Sequence, residues 1–202
     1  MSRLLIVTAV AAERDAITGA TAADVIVGGV GCVESAVSTA NALASGTYDV
    51  VISAGIAGGF APLDVASTAV ADTIILADLG AETADGFSPA DELGFGRTHY
   101  GVDAVLAERL ARQTGARVGP ILTVNTVTGT AQTALRLANR YPGVIAEAME
   151  GAGVAAAAAA AGVRFGELRA ISNRVGPRDR SAWRFADALA ALAAAVAKIG
   201  VE

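Results

Sequence analysis

The sequence contains one cysteine, one histidine and one lysine among its 202 residues. With Cys32 as its only cysteine, the chain cannot close an internal disulfide. Cys32 and His99 alone cannot build a zinc site from Cys and His ligands. Lys198 is the single lysine, the formal net charge is -5, and the arginines form no basic stripe. These absences argue against a nucleic-acid-binding protein, which needs a concentrated positive surface.

Long hydrophobic runs are also missing, although hydrophobic residues make up 53% of the chain. The excess is alanine, valine and glycine spread along the whole sequence, and no run of 18 or more strongly apolar residues occurs. This pattern argues against a membrane-spanning helix. The sequence begins on an apolar strand pattern without the layout of a signal peptide. We therefore expect a cytoplasmic protein.

Strand patterns and helix patterns alternate along the chain, and no linker or change in composition divides it. The alternation predicts an α/β fold, with a central mixed, largely parallel twisted sheet flanked by helices on both faces. We expect one domain over residues 1–202. Residues 80–101 are polar and contain glycine, and they are expected to form a long loop. The predicted strands cover 4–9, 24–29, 49–54, 69–77, 117–124, 143–149 and 166–172, and the predicted helices cover 11–17, 31–43, 102–113, 130–139, 151–162 and 184–199.

Polar side chains stand where three of the predicted strands end. Glu13 follows the first strand, and Glu150 joins the strand 143–149 to an alanine-rich helix, whose N-terminus favours a carboxylate. Arg169 and Asn173 share one face of the last strand, because side chains alternate with a period of two. A buried arginine there needs a carboxylate partner, and Glu13 and Glu150 are the candidates. Taken singly, each residue also fits a structural role in a helix, a turn or an ion pair.

The glycine-rich segments suit a ligand without matching the common nucleotide motifs. Gly55-Ile-Ala-Gly-Gly59 follows a strand and allows a ligand to approach the backbone closely. It is not the Gly-x-Gly-x-x-Gly motif of dinucleotide sites. The chain has neither Gly-x4-Gly-Lys-Ser/Thr nor Gly-x-Ser-x-Gly. These absences exclude a P-loop ATPase and, with a single histidine, argue against Ser-His-Asp catalysis.

Four segments together resemble the purine nucleoside phosphorylase and nucleosidase family. They are residues 3–13, Gly55–Gly59, Ala148-Met149-Glu150 and Arg169-Ala-Ile-Ser-Asn173, and their order and spacing match along nearly the whole chain. The resemblance implies a three-layer phosphorylase/nucleosidase-like fold and cleavage of the N-glycosidic bond of a purine nucleoside. It also implies a small-molecule nucleoside substrate, no cofactor and no metal. A homodimer or larger homo-oligomer is expected, without nucleic-acid or membrane partners.

By the same resemblance, the catalytic residues are Glu13, Glu150, Arg169 and Asn173. Glu13 handles the attacking water, and Glu150 holds the ribose hydroxyls. Arg169 helps to hold the water and the carboxylates. The residues expected to bind the substrate are Ala57, Gly58, Val127, Thr128, Met149, Ser172, Phe87 and Arg178.

Asn173 departs from the adenine-specific nucleosidases, which have an aspartate at this place. An aspartic acid can give a proton to N7 of the leaving purine, whereas an asparagine offers one NH2 donor and one carbonyl acceptor. The donor suits the O6 atom of a 6-oxopurine, and the acceptor suits an N7–H that forms in the transition state. Asn173 therefore favours a 6-oxopurine base over adenine.

Other departures bear on the nucleophile and on the rest of the substrate. Ile56 replaces a serine of the family, and the loop Gly55–Gly58 has no Arg, Lys or Ser, which favours water over phosphate. Val127 stands near the position of the aromatic residue that stacks on the base, so the stacking partner stays open. The additional arginines Arg174, Arg178 and Arg180 suit a carboxylate on the substrate's tail.

Two alternatives remain open. One is a nucleosidase or phosphorylase that acts on another purine nucleoside, either inosine-like or methylthioadenosine/S-adenosylhomocysteine. The other is a non-catalytic nucleotide-binding protein of the same fold, against which the joint presence of Glu13, Glu150 and Arg169 argues.

Overall fold

The computed structural model describes residues 3–84 and 86–200, and within these residues the chain forms ten strands and six α-helices. No helix in this part of the chain is both long enough and apolar enough to cross a membrane. The strands are β1 Leu4–Thr8, β2 Asp24–Val27, β3 Val50–Gly59, β4 Thr68–Leu76, β5 Gly80–Thr83, β6 Gly86–Pro89, β7 His99–Gly101, β8 Arg117–Thr123, β9 Ala146–Ala148 and β10 Arg164–Arg174. The helices are α1 Ala11–Thr18, α2 Cys32–Ser45, α3 Ala104–Thr114, α4 Ala131–Arg140, α5 Gly151–Ala160 and α6 Phe185–Val196, and one 3₁₀ turn covers Arg180–Ala182.

Three layers follow from the alternation of apolar side chains along the central strands. Leu4 and Ile6 of β1 pack into a core with residues of α1, α3 and α6. Leu5 and Val7, which point to the opposite face of the sheet, pack against α2 and α5. Both faces of β1 are therefore buried, which explains why this strand is apolar at nearly every position.

The main sheet is mixed, and its order is β10-β4-β8-β9-β3-β1-β2, with β7 beside β4. Five pairings are parallel (β1–β2, β1–β3, β3–β10, β4–β8 and β8–β9) and three are antiparallel. The mixed, largely parallel sheet flanked by helices is thus confirmed. Since β3 pairs with both β9 and β10, the strands β3, β10, β4, β8 and β9 also close into a ring. The prediction of a flanked sheet did not include this closure.

The segment 80–101 is the main correction to the sequence-based prediction, which made it a loop. The strands β5 and β6 form a two-stranded hairpin, and β7 pairs antiparallel with β4. Asp85, within this predicted loop, lies outside the described residues. These strands are only three or four residues long and are mostly polar, so they carry no apolar alternation. Their pairing comes from their neighbours in space rather than from a local pattern.

Capping side chains determine where two of the helices begin. The Asp103 side chain accepts a hydrogen bond from Leu106 N, so α3 begins at Ala104 rather than at the predicted residue 102. Thr130 caps α4 in the same way through Thr133 N. Thr130 thus ends the loop between β8 and α4, and Val127 and Thr128 of this loop border the pocket described next.

Candidate active site

A single pocket collects most of the residues predicted to bind substrate. It lies at the carboxyl ends of β1, β3 and β9 and along the last residues of β10. Ten of the twelve predicted site residues line it, and the other two, Arg169 and Phe87, do not. The ten are Glu13, Ala57, Gly58, Val127, Thr128, Met149, Glu150, Ser172, Asn173 and Arg178.

Glu13 is fixed at the pocket wall by backbone donors. Its Oε2 atom accepts from Ala9 N at 2.8 Å and from Val10 N at 3.2 Å, and its Oε1 atom accepts from Ile56 N at 2.8 Å. A Cβ atom at Gly55 would lie 2.6 Å from Glu13 Oε1. Gly55 therefore leaves the space that this carboxylate occupies. These contacts hold the carboxylate in one orientation and leave it one further acceptor position, on Oε1.

Arg169 lies directly beneath the pocket, with 1% of its surface exposed. Its Nε donates to Glu167 Oε1 at 2.7 Å, and its Nη2 donates to Ser53 Oγ at 2.8 Å. Its Nη1 lies 3.3 Å from Glu150 Oε2. The neighbouring carboxylates, Glu167 first, outweigh burial and raise the pKa of this guanidinium. Arg169 is thus a buried cation that holds Glu150 from below.

Glu167 is a carboxylate partner of Arg169 that was not predicted from the sequence, which offered Glu13 and Glu150 as candidates. It is fully buried, and burial raises the pKa of its carboxyl group while Arg169 acts in the opposite sense. A Cβ atom at Gly151 would lie 2.2 Å from Glu167 Oε2. The first residue of α5 must therefore be glycine for this carboxylate to fit beneath the helix.

Glu150 sits between β9 and α5, as the sequence predicted. Its Oε1 atom accepts from Gly31 N at 3.2 Å, so the turn before α2 helps to hold it. Its backbone carbonyl accepts from Ser35 Oγ at 3.1 Å and from Gly153 N and Val154 N of α5. Its Oε2 atom accepts from Met149 N at 3.3 Å and also faces Arg169, so Oε1 keeps a free lone pair for a hydroxyl group in the pocket.

Asn173 and Ser172 both line the pocket because the strand is irregular at this point. The register of β10 against β3 shifts between Ile171 and Asn173, which disturbs the simple alternation that the sequence analysis assumed. Ser172 Oγ donates to Asn173 Oδ1 at 2.7 Å, and Asn173 Nδ2 donates to the Arg174 carbonyl at 2.9 Å. Each end of the amide keeps one further hydrogen-bonding position for a ligand.

The segment after β10 adds aromatic surface to the pocket, which the sequence analysis did not anticipate. Trp183 and Phe185 line the pocket with their rings edge to face, the centroids being 5.3 Å apart. The Arg178 guanidinium lies 5.7 Å from the centre of the Trp183 ring. Arg174 also borders the pocket but contacts Asp64 at 3.4 Å, and Arg180 does not line it. The sequence feature that could have indicated this aromatic surface is the single tryptophan, Trp183, which follows Arg174, Arg178 and Arg180.

Glu147 is a second buried carboxylate that the sequence analysis passed over. It lines the pocket and is 6% exposed. Its Oε1 accepts from Thr128 N at 2.8 Å, and its Oε2 is 2.5 Å from Thr128 Oγ1. Burial raises the pKa of its carboxyl group, and the two Thr128 hydrogen bonds act against this rise. Glu147 thereby ties the loop between β8 and α4 to strand β9.

Phe87 lies in the β5–β6 hairpin, and the structure does not bring it to this pocket. The Arg140 guanidinium stands 4.8 Å from the centre of its ring, and Arg140 Nη2 donates to its carbonyl at 3.2 Å. These contacts fold the hairpin against the end of α4.

Among residues 3–84 and 86–200, no group of three or more Cys, His, Asp or Glu is arranged to hold a metal ion.

The phosphorylase/nucleosidase fold, together with the carboxylates of Glu13 and Glu150 above the buried Arg169, defines the class of protein to which this chain belongs. The chain belongs to the phosphorylase superfamily, whose family model matches residues 9–202. It is 52% identical to futalosine hydrolase from Streptomyces coelicolor, over 97% of this chain and 94% of that protein. It is 47% identical to futalosine hydrolase from Acidothermus cellulolyticus, over 97% of this chain and 89% of that protein.

Solved structures of lower identity share the same fold. The 5'-methylthioadenosine/S-adenosylhomocysteine nucleosidase from Neisseria meningitidis, in complex with methylthio-immucillin-A, matches with a TM-score of 0.84 and 20% identity over 98% of both chains. A mutant of the Helicobacter pylori nucleosidase, with 5'-methylthioadenosine in its active site, matches with a TM-score of 0.81 and 20% identity. That match covers 98% of this chain and 96% of the other.

Proposed function

We propose that this protein hydrolyses the N-glycosidic bond of futalosine, releasing hypoxanthine and dehypoxanthine futalosine in the futalosine route of menaquinone biosynthesis. The observation that carries the proposal is the meeting of Glu13, Glu150 and Asn173 in one pocket over the buried Arg169. The 52% identity to a futalosine hydrolase over nearly the whole chain supports the choice of substrate.

The two carboxylates suit the charge that develops when this bond breaks. The ribose ring becomes cationic in the transition state, and a nucleophile must approach the face opposite the departing base. Glu13 acts as general base and accepts a proton from the attacking water. Glu150 binds the ribose hydroxyls and places its negative charge beside the cationic ring. Arg169 is the positioning residue that fixes Glu150.

Asn173 stabilises the leaving base. Its amide NH2 keeps a second hydrogen for the O6 atom of hypoxanthine, and its carbonyl oxygen keeps a second lone pair for the N7–H that forms as the bond breaks. Adenine has an amino group where hypoxanthine has O6. The NH2 group of Asn173 would then meet another hydrogen-bond donor, and no hydrogen bond could form. This mismatch supports hypoxanthine as the product.

Water is the expected nucleophile rather than phosphate. Each nitrogen-bearing arm of Arg169 is occupied by Glu167, Glu150 or Ser53. Ile56 and Ala57, which line the pocket near Glu13, offer neither a cation nor a hydroxyl group to phosphate. A phosphate dianion beside Glu13 would therefore meet a carboxylate without a compensating charge.

The cellular setting follows the proposed activity. We place the enzyme in the cytoplasm, working as a homodimer or larger homo-oligomer. Exposed apolar side chains such as Val33, Val37 and Leu135, which are 72%, 55% and 62% exposed, support assembly.

A base-release assay tests the proposal. Futalosine, inosine and methylthioadenosine are each incubated with the purified protein, with and without phosphate, and the released purine is quantified by chromatography. Hypoxanthine released from futalosine, independently of phosphate, is the expected result. Release only in the presence of phosphate, or release of adenine from methylthioadenosine in preference, would contradict it. The Glu13→Gln variant, purified in parallel, controls for a contaminating nucleosidase.

A further inference from the structure

Three residues on adjacent strands form a row across the base of the pocket. Gly58 of β3 pairs with Glu147 of β9 on one side and with Asn173 of β10 on the other. Paired residues on neighbouring strands point to the same face of a sheet, and all three line the pocket. A Cβ atom at Gly58 would lie 2.8 Å from Val175 Cγ2 and 3.5 Å from Asn173 Nδ2, so glycine at this position makes room for Val175. Glu147 and Asn173 therefore lie on the same face of the sheet, one strand to either side of Gly58.

The separation of Glu147 and Asn173 suits a flat base. Two inter-strand spacings of about 4.8 Å separate β9 from β10 across β3, or roughly 10 Å in total. A bicyclic base with one hydrogen bond at each edge fits between side chains spaced in this way. Asn173 already faces O6 and N7 in the proposed function, so the carboxylate on the other flank faces the edge of the base that contains N1.

Glu147 has the chemistry of a ligand-binding group that lacks its ligand. It is 6% exposed, and Thr128 supplies its two hydrogen bonds, one to each carboxylate oxygen. Among the described residues it makes no ion pair, although a buried carboxylate needs compensation. Each of its oxygens keeps a second lone pair for a donor in the pocket.

We propose that Glu147 accepts a hydrogen bond from N1–H of the 6-oxopurine base and so determines base specificity; this inference rests on the proposed function. A 6-oxopurine carries a proton on N1, whereas adenine carries a lone pair there. A carboxylate attracts the first and repels the second. Together with Asn173, Glu147 reads both edges of the base, and a site built on such hydrogen bonds rejects an analogue that lacks the donor.

The competing role for Glu147 is purely structural. Through Thr128 it anchors the loop that carries Val127 and borders the pocket. Loss of an anchor would weaken the binding of every base alike. Loss of a direct contact would weaken only the bases that carry N1–H, so the two roles predict different ratios of affinity.

Calorimetric binding of free bases distinguishes the two roles. Hypoxanthine, 1-methylhypoxanthine and adenine are titrated into the wild-type protein and into Glu147→Gln. We expect the wild type to prefer hypoxanthine over both of the others, and the Gln variant to lose about 10- to 100-fold of that preference, as for a hydrogen bond to a charged group. Glu108→Gln, an exposed carboxylate on α3, is the matched control and should keep the preference.

Two further arms protect the test from ambiguity. Thr128→Val removes the hydroxyl partner but keeps the carboxylate, so it should retain the preference for hypoxanthine if Glu147 contacts the base. Should Glu147→Gln fail to fold, the wild-type comparison decides, since equal affinity for hypoxanthine and 1-methylhypoxanthine overturns the inference. Base binding does not require hydrolysis. Futalosine cleavage without N1 discrimination would leave the proposed function standing and reject the inference, and discrimination without cleavage would do the reverse.

Discussion

Glu13 is the residue on which the proposed chemistry depends most directly. Glu13→Gln keeps the shape of the side chain but cannot take a proton from water, so kcat should fall about 10²–10⁴-fold. KM should change far less, because Glu13 contacts the nucleophile rather than the base. Steady-state hypoxanthine release measures both constants.

Asp15→Asn is the matched control for this substitution. Asp15 lies on the same helix, α1, and its side chain is 64% exposed beside Arg14. Its removal should leave kcat within about twofold, since exposed ion pairs contribute little. A loss of less than about tenfold in kcat for Glu13→Gln would show that another group activates the water.

The residues found from sequence and those missed differ in what makes them visible. Glu13 and Glu150 stand at joins between strand and helix, and such joins can be located from periodicity alone. Glu147 lies in the short strand β9 and Glu167 in the long strand β10, and in both a single carboxylate among buried apolar residues does not indicate which groups will be its neighbours. Their roles depend on Thr128 and Arg169, which become neighbours only once the strands are paired.

Strand β3 shapes the site because its residue Gly55 has no side chain. A Cβ atom at Gly55 would lie 2.6 Å from Glu13 Oε1 and 2.8 Å from Arg169 Nη1. Both are ends of long side chains, so Gly55→Ala should displace them and leave the fold intact. We expect kcat to fall by about 10²-fold or more, because small displacements at a reacting centre are costly, while the melting temperature drops only by a few degrees.

Gly19→Ala provides the control for this glycine substitution. Gly19 ends α1 in a right-handed conformation, and a Cβ atom there would meet nothing within 4 Å. Activity should therefore be unchanged. If Gly55→Ala kept full activity, Glu13 and Arg169 would not need the positions that they hold in this structure.

The elements themselves were largely readable from the sequence, and the exceptions have one cause. Helices such as α3 and strands such as β1 carry their periodicity locally. The pairing of β9 with β3 rests on only two residue pairs, and β7 exists because β4 offers it an edge. Short strands of this kind are determined by neighbours distant in sequence, so neither the ring closure nor the strands within 80–101 could be predicted.

At the scale of the whole molecule, the arrangement of the strands and the net negative charge both affect the pocket. Residues from β1, β3 and β10 meet there because these parallel strands bring their carboxyl ends to one edge, and β9 adds its residues by pairing antiparallel with the end of β3. The protein carries a formal net charge of -5, and Glu13, Glu147 and Glu150 line the pocket. An anionic substrate such as futalosine, with a benzoate group on its ribose tail, therefore needs a local cation to bind.

Arg178 is the arginine best placed to supply that cation. It lines the pocket beside Trp183 and makes no ion pair with a described carboxylate, whereas Arg174 contacts Asp64. A guanidinium can bind a carboxylate through two parallel hydrogen bonds. Arg178→Ala should raise KM for futalosine about tenfold, toward the low end for a charged hydrogen bond because the site is partly open to solvent.

Two comparisons separate this role from a general loss of structure. Inosine has no benzoate tail, so any measurable cleavage or binding of inosine should be the same in Arg178→Ala and in the wild type. Arg180→Ala removes the same charge from a residue that does not line the pocket, and it should leave KM for futalosine unchanged.

An equal rise in KM for both arginine variants would point to long-range charge rather than to a contact. In that case raising the salt concentration should abolish the difference between wild type and variants, since exposed charges are screened, whereas a direct contact at Arg178 should persist.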